Sequence, residues 1–227
     1  MVDVAVRPVR LEDAAPLAAL LRADREVLAP WEPVRDGEWS TEEGQRRELR
    51  RVLERAAADA VLPCVVLVDG EPAGRVNVNN VVRGAFQSGD LGYWIASPHT
   101  GRGVATAAVA AVARRAFADP GDGGLGLHRL QAGTLPHNAA SRRVLERNGF
   151  TRIGCAPRYL RIAGRWQDHV LYQLLAPEDR AGPGPDAGAP AQPGAGQVAA
   201  GNPGPSRTGR GSSSRVTIGP ATASTST

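Results

Sequence analysis

Apolar residues in the first 176 positions switch between two spacings. Val2, Val4 and Val6 stand two apart, which predicts a short strand. Leu17, Leu20, Leu21 and Leu28 recur at helical spacing and predict a helix over 13–28, capped by Asp13. Pro16 is tolerated there because first-turn amides have no intrahelical partner to lose. A loop with Trp31, Pro33 and Trp39 follows. Ser40 and Glu43 then make a capping box for a second helix, marked by Leu49, Val52, Leu53 and Ala56. The apolar run 64–68 predicts a buried strand, and Asp69-Gly70 a hairpin turn into a strand over 75–82. Another strand covers 90–96, ended by Pro98. A helix over 104–118 shows Val109, Val112, Ala113, Ala116 and Phe117 on its inner face. A strand over 128–134, a helix over 138–148 and strands over 152–162 and 166–175 complete the order β-αα-ββ-β-α-β-α-ββ. This is one domain of α/β (α+β) class over residues 1–176.

Composition changes at Pro177. From there to Thr227 the chain holds 10 glycines, 8 prolines and no aromatic residue. Such a segment buries too little apolar surface to offset its ordering entropy, so 177–227 is expected to be a disordered tail. All 27 basic residues are arginine, which excludes chemistry that needs a lysine. Cys64 and Cys155 lie in apolar stretches and are expected to be reduced core thiols, not a disulfide scaffold. No signal-peptide pattern and no run of 18 apolar residues is present, so a cytoplasmic protein without membrane contact is expected. The net charge of +4 favours an anionic partner, and a polyanionic small molecule satisfies it as well as nucleic acid does. The arginines are spread through amphipathic helices without stacking aromatics, which argues against nucleic acid.

The most informative stretch joins the strand ending near Ala96 to the helix starting at Val104. It reads Thr100-Gly101-Arg102-Gly103-Val104-Ala105. A helix N-terminus offers free amides and a positive dipole end, which suit a pyrophosphate. Two glycines let backbone approach a phosphate closely. The run lacks both the Walker ending and the third glycine of a dinucleotide fingerprint. A second strand-to-helix turn carries Asn138 as an N-cap, with Ser141 three residues on and Gly149-Phe150 at the helix end.

Together these stretches resemble the GNAT superfamily of acetyl-CoA-dependent N-acetyltransferases. Its pyrophosphate turn has the form Q/R-x-x-G-x-G/A, and here Thr100 stands in the first position. Gly92-Tyr93-Trp94-Ile95, Asn138-x-x-Ser141, the Pro30–Pro33 loop and the Tyr159 to His169 segment are similar to the ribosomal-protein alanine acetyltransferase branch. The resemblance implies a twisted, mostly antiparallel sheet of six to seven strands flanked by about four helices. Its two central strands, 90–96 and 128–134, would splay apart. Acetyl-CoA would lie in the splay against Ile95 and Ala96, with its pyrophosphate on Thr100, Gly101, Arg102, Gly103, Val104 and Ala105. Asn138 and Ser141 would meet its thioester end. No metal is implied.

The resemblance also implies the chemistry. A neutral amine attacks the thioester, a backbone amide near Ile95 holds the oxyanion, and the leaving thiolate needs a donor. The tyrosine that many relatives use is Leu145 here, and Ser141 stands where the ribosomal branch has its serine. The glutamate that some relatives use as base is Arg158 here. Glu32, Asp90, His128 and Asp168 remain candidates for the base. Trp31, Trp39 and Tyr159 would border the acceptor groove. The expected acceptor is a protein N-terminus, with a small amine as the alternative, taken by a monomer or homodimer. A binding protein without turnover is the remaining reading, supported by Leu145, Arg158 and Thr100.

Overall fold

The computed structural model describes residues 2–177, so the tail expected beyond them lies outside the described residues. Seven strands form one sheet: β1 (Val4–Pro8), β2 (Leu62–Val68), β3 (Glu71–Val82), β4 (Ser88–Ile95), β5 (Arg129–Thr134), β6 (Thr151–Ile162) and β7 (Arg165–Leu175). Their order across the sheet is β1-β2-β3-β4-β5-β7-β6. Every pairing is antiparallel except β4 with β5. Parallel neighbours need a long crossover, and α4 (Val104–Phe117) supplies it. β4 and β5 pair only at Ser88–Arg129, Gly89–Leu130 and Asp90–Gln131. Beyond Asp90 they part, which is the splay expected from sequence.

Strand alternation sorts the sheet into two faces. Val66, Val76, Val78, Leu130, Val170 and Tyr172 pack against α4 and α5 (Ala139–Arg147). Val65 points the other way, into a cluster with Leu17 of α1 (Ala14–Ala23) and Leu49 of α3 (Glu42–Ala57). Each such fully buried side chain is worth roughly 1.5–3 kcal/mol relative to exposure. β6 is an edge strand and stays mostly exposed. Cys64 is buried, and burial pushes its thiol up to about 11. Cys155, on β6, is exposed and free, so it is not the core thiol expected from its apolar neighbours.

Three local expectations shift. The helix expected over 13–28 breaks at Asp24, into α1 and a single turn, α2 (Arg25–Leu28), which makes five helices. Asp24 is buried, and its carboxylate accepts from the Ser97 amide at 2.5 Å, a contact across 73 residues. Asp13 does not cap α1 with its side chain. It accepts instead from the Arg10 amide and from the Arg7 guanidinium, at 2.7–2.9 Å. Burial pushes the Asp13 carboxyl up, but the Arg7 and Arg10 hydrogen bonds outweigh it and hold the group below its usual range. The cap of α3 is Thr41, whose hydroxyl accepts from the Gly44 amide. Ser40 is taken up by a 3-10 turn that Asp36 caps.

Candidate active site

The Ala96 amide donates to the Ala73 carbonyl on β3. In an antiparallel pair the polar groups alternate sides, so those of Tyr93 and Ile95 face the opposite edge. That edge would meet β5, but β5 has already diverged. The result is a cleft of 470 Å³ with Tyr93, Ile95, Val104, Thr134, Asn138 and Ser141 in its walls. Ala96 is buried and has committed its amide, so it does not line the cleft as expected.

At the mouth, Gly101 and Gly103 have φ of 74° and 81°, in the region that favours glycine, and a Cβ on either would meet nothing within 4 Å. The turn is therefore open. Gly103 is the N-cap of α4, no side chain caps that end, and its first turn carries no acidic residue. Its first amides keep their donors for an anion. Thr100, Gly101, Gly103, Val104 and Ala105 line the cleft, whereas Arg102 is exposed and does not. Two buried polar atoms in the lining residues, Thr134 Oγ1 and His99 Nδ1, have no hydrogen-bond partner among the described residues. A long apolar groove with unspent donors and a free helix end fits acetyl-CoA.

The second turn is built differently. Asn138 Oδ1 accepts from the Ser141 amide at 3.0 Å and caps α5. The Ser141 hydroxyl lies 2.9 Å from the Tyr93 hydroxyl, which also reaches the Ser141 carbonyl at 3.1 Å. Burial pushes the Tyr93 phenol up to about 12, with the Ser141 bond opposing, so it stays neutral and can donate. Leu145 is buried in the core, as an apolar residue at that position requires.

The candidate bases scatter. Asp90 sits at the paired end of β4, accepts from Asn80 at 3.0 Å and does not line the cleft. His128 precedes β5, at the far end from the opening, beside Gln87 and Leu127. Asp168 accepts from the Arg158 amide at 2.8 Å and so holds the irregularity in β6. Glu32 is half-buried, and burial raises its carboxyl while Arg35 lowers it. Its carbonyl accepts from the Ala163 amide, which ties this loop to the β6–β7 turn.

Trp31 lines the cleft with its ring 5.3 Å from His137. Tyr159 stands over Gly133 and meets His169 edge-on at 5.6 Å. Trp39 lies outside the groove, under the Arg35 guanidinium at 4.1 Å. Sequence reasoning missed Tyr93, His99, Thr134 and His169. Alternation in β4 puts Tyr93 on the face of Leu91, but nothing local shows that α5 will bring Ser141 to it.

Residues 3–151 match the family described as Acetyltransferase (GNAT) domain. The chain is 35% identical over 175 residues to the Escherichia coli [Ribosomal protein uS5]-alanine N-acetyltransferase, covering 76% of this chain and 88% of that one. Among solved structures, Mycobacterium smegmatis RimJ in complex with CoA-disulfide superposes with a TM-score of 0.72 and 37% identity, over 76% of this chain and 82% of that one. The Vibrio fischeri ribosomal-protein-S5-alanine acetyltransferase gives 0.70 and 32%, over 76% and 92%.

Proposed function

The chain belongs to the GNAT acetyltransferase family and depends on acetyl-CoA, and from that premise we propose that it acetylates the N-terminal α-amine of a protein, a ribosomal protein in first place. The activity is assigned to a domain of residues 1–176. The reading is carried by the match to 88% of an enzyme named for the alanine of uS5. Acid–base chemistry supports it. An α-amine titrates at about 7.7–8.0 and is partly neutral at pH 7, whereas a lysine amine, at about 10.4, needs far more help.

Acetyl-CoA supplies an activated acyl group and a thiolate leaving group. The residues do the rest. Amides of Gly101 to Ala105 seat the pyrophosphate. The Ile95 N–H, facing the cleft, donates to the oxygen on which charge develops. Tyr93 donates to the Ser141 carbonyl and so positions the Ser141 hydroxyl, 2.9 Å from its own, to give a proton to the departing sulfur. Asn138 fixes the backbone that carries Ser141. Trp31 and Tyr159 flank the acceptor's path.

The test is mass-spectrometric. Peptides beginning with free Ala, Ser or Thr are compared with N-terminally blocked peptides that contain Lys, and with small primary amines. Acetylation of the free α-amines alone is the expected result. Acetylation of small amines alone would overturn the protein-acceptor reading and leave the transferase standing.

A further inference from the structure

His169 is a buried titratable group in the cleft that the steps above do not use. Its neighbours on β7, Val170 and Tyr172, stand two apart on one face of the strand, and both join the core under α4 and α5. His169 and Leu171 therefore share the opposite face, and both approach Gly133 of β5. A Cβ on Gly133 would sit 3.6 Å from His169 Cδ2. The imidazole is 3% exposed yet forms part of the cleft wall. Ser141 comes from α5, beneath the other face. The two side chains thus approach the opening from opposite sides of the sheet.

The tautomer follows from one contact. Nδ1 lies 3.0 Å from the Gln167 carbonyl, which can only accept, so Nδ1 carries the proton. Nε2 then carries a lone pair. Among the described residues it has no hydrogen-bond partner. Tyr159 packs edge-on against the ring and holds its plane. None of the four acids and bases named from sequence combines a place in the cleft wall with a free lone pair.

We propose that His169 is the general base that takes the proton of the acceptor amine, an inference that rests on the acetyl-transfer reading. The amine lone pair forms the C–N bond while the carbonyl π pair moves to oxygen, against the Ile95 N–H. The proton on nitrogen passes to His169 Nε2. When the C=O re-forms, the C–S bond breaks and its electron pair leaves on sulfur. The sulfur takes a proton through Ser141, which is replenished from solvent, and His169 returns its own proton to solvent. The net transfer is one proton from amine to thiol.

His169→Asn and His169→Ala test this in the full-length protein. Asn keeps a donor for the Gln167 carbonyl and removes the lone pair. The expected result is a kcat lower by about 100-fold or more in both variants with acetyl-CoA affinity near wild type, and, for His169→Asn, a melting temperature near wild type as well. Added imidazole should restore rate to His169→Ala in proportion to its concentration, and should not help Ser141→Ala. A His169→Asn variant that keeps more than about a third of wild-type kcat would overturn the assignment. Imidazole acting equally on His169→Ala and wild type would also overturn it. Wild-type turnover on an alanyl peptide tests the acceptor reading separately. If only small amines react, the same ratios measured with that amine decide the role of His169.

Discussion

Two strand-to-helix turns flank the cleft, and they treat the same problem in opposite ways. Both helices begin with amides that have no intrahelical partner. At α5, Asn138 spends its side chain on the Ser141 amide, and the turn becomes a fixed mount for a hydroxyl. At α4, Gly103 has no side chain to spend, no neighbour caps the end, and the turn stays open. The difference divides the labour. An uncapped end sells nothing in advance and can bind an anion. A capped end binds no anion but holds its first-turn serine against Tyr93.

The comparison breaks most sharply at Gly103. Gly103→Glu puts a carboxylate on the uncapped amides, where it competes with the pyrophosphate. Space is open there, so the cost to folding is confined to a left-handed backbone, about 1–2 kcal/mol. Acetyl-CoA affinity, read by calorimetry, should fall on the order of 100-fold or more, about 2.8 kcal/mol at about 1.4 per decade. Unchanged affinity in a folded variant would remove the phosphate seat from this turn.

Tyr93→Phe comes next. Losing one hydrogen bond of about 1 kcal/mol should lower kcat roughly fivefold and leave acetyl-CoA affinity unchanged. In a Ser141→Ala background the same change should cost nothing more, since Tyr93 acts through Ser141. An equal loss in both backgrounds would show that Tyr93 acts alone.

The smallest effect is expected at the capped end. Asn138→Ala should destabilise the protein by about 1 kcal/mol in denaturant unfolding, and Asn138→Ser should recover most of it. No loss in the alanine variant would mean that the α5 cap is dispensable.

The sequence made the two turns legible because their signals are local. Positive φ at Gly101 and Gly103, and a cap at Asn138, follow from residue type within a few positions. The order of strands and helices was legible for the same reason. What escaped depends on distant chain. The break at Asp24 comes from its bond to Ser97, and the hairpin of β6 and β7 sets where Asp168 and His169 fall. Tyr93 meets Ser141 across 48 residues, so a reading of either segment alone could not pair them. Asp90, a candidate base from sequence, lies on the paired side of the divergence, which only the pairing of β4 with β5 reveals.

Ser141 gives the most direct test of the division between the two turns. Acetyl-CoA affinity and kcat with an alanyl peptide would be measured together for Ser141→Ala. The prediction is a kcat lower by about ten- to a hundredfold with affinity within about twofold of wild type. A full-rate variant, or one whose affinity falls as far as its rate, would contradict a turn built to present a proton rather than to hold the cofactor.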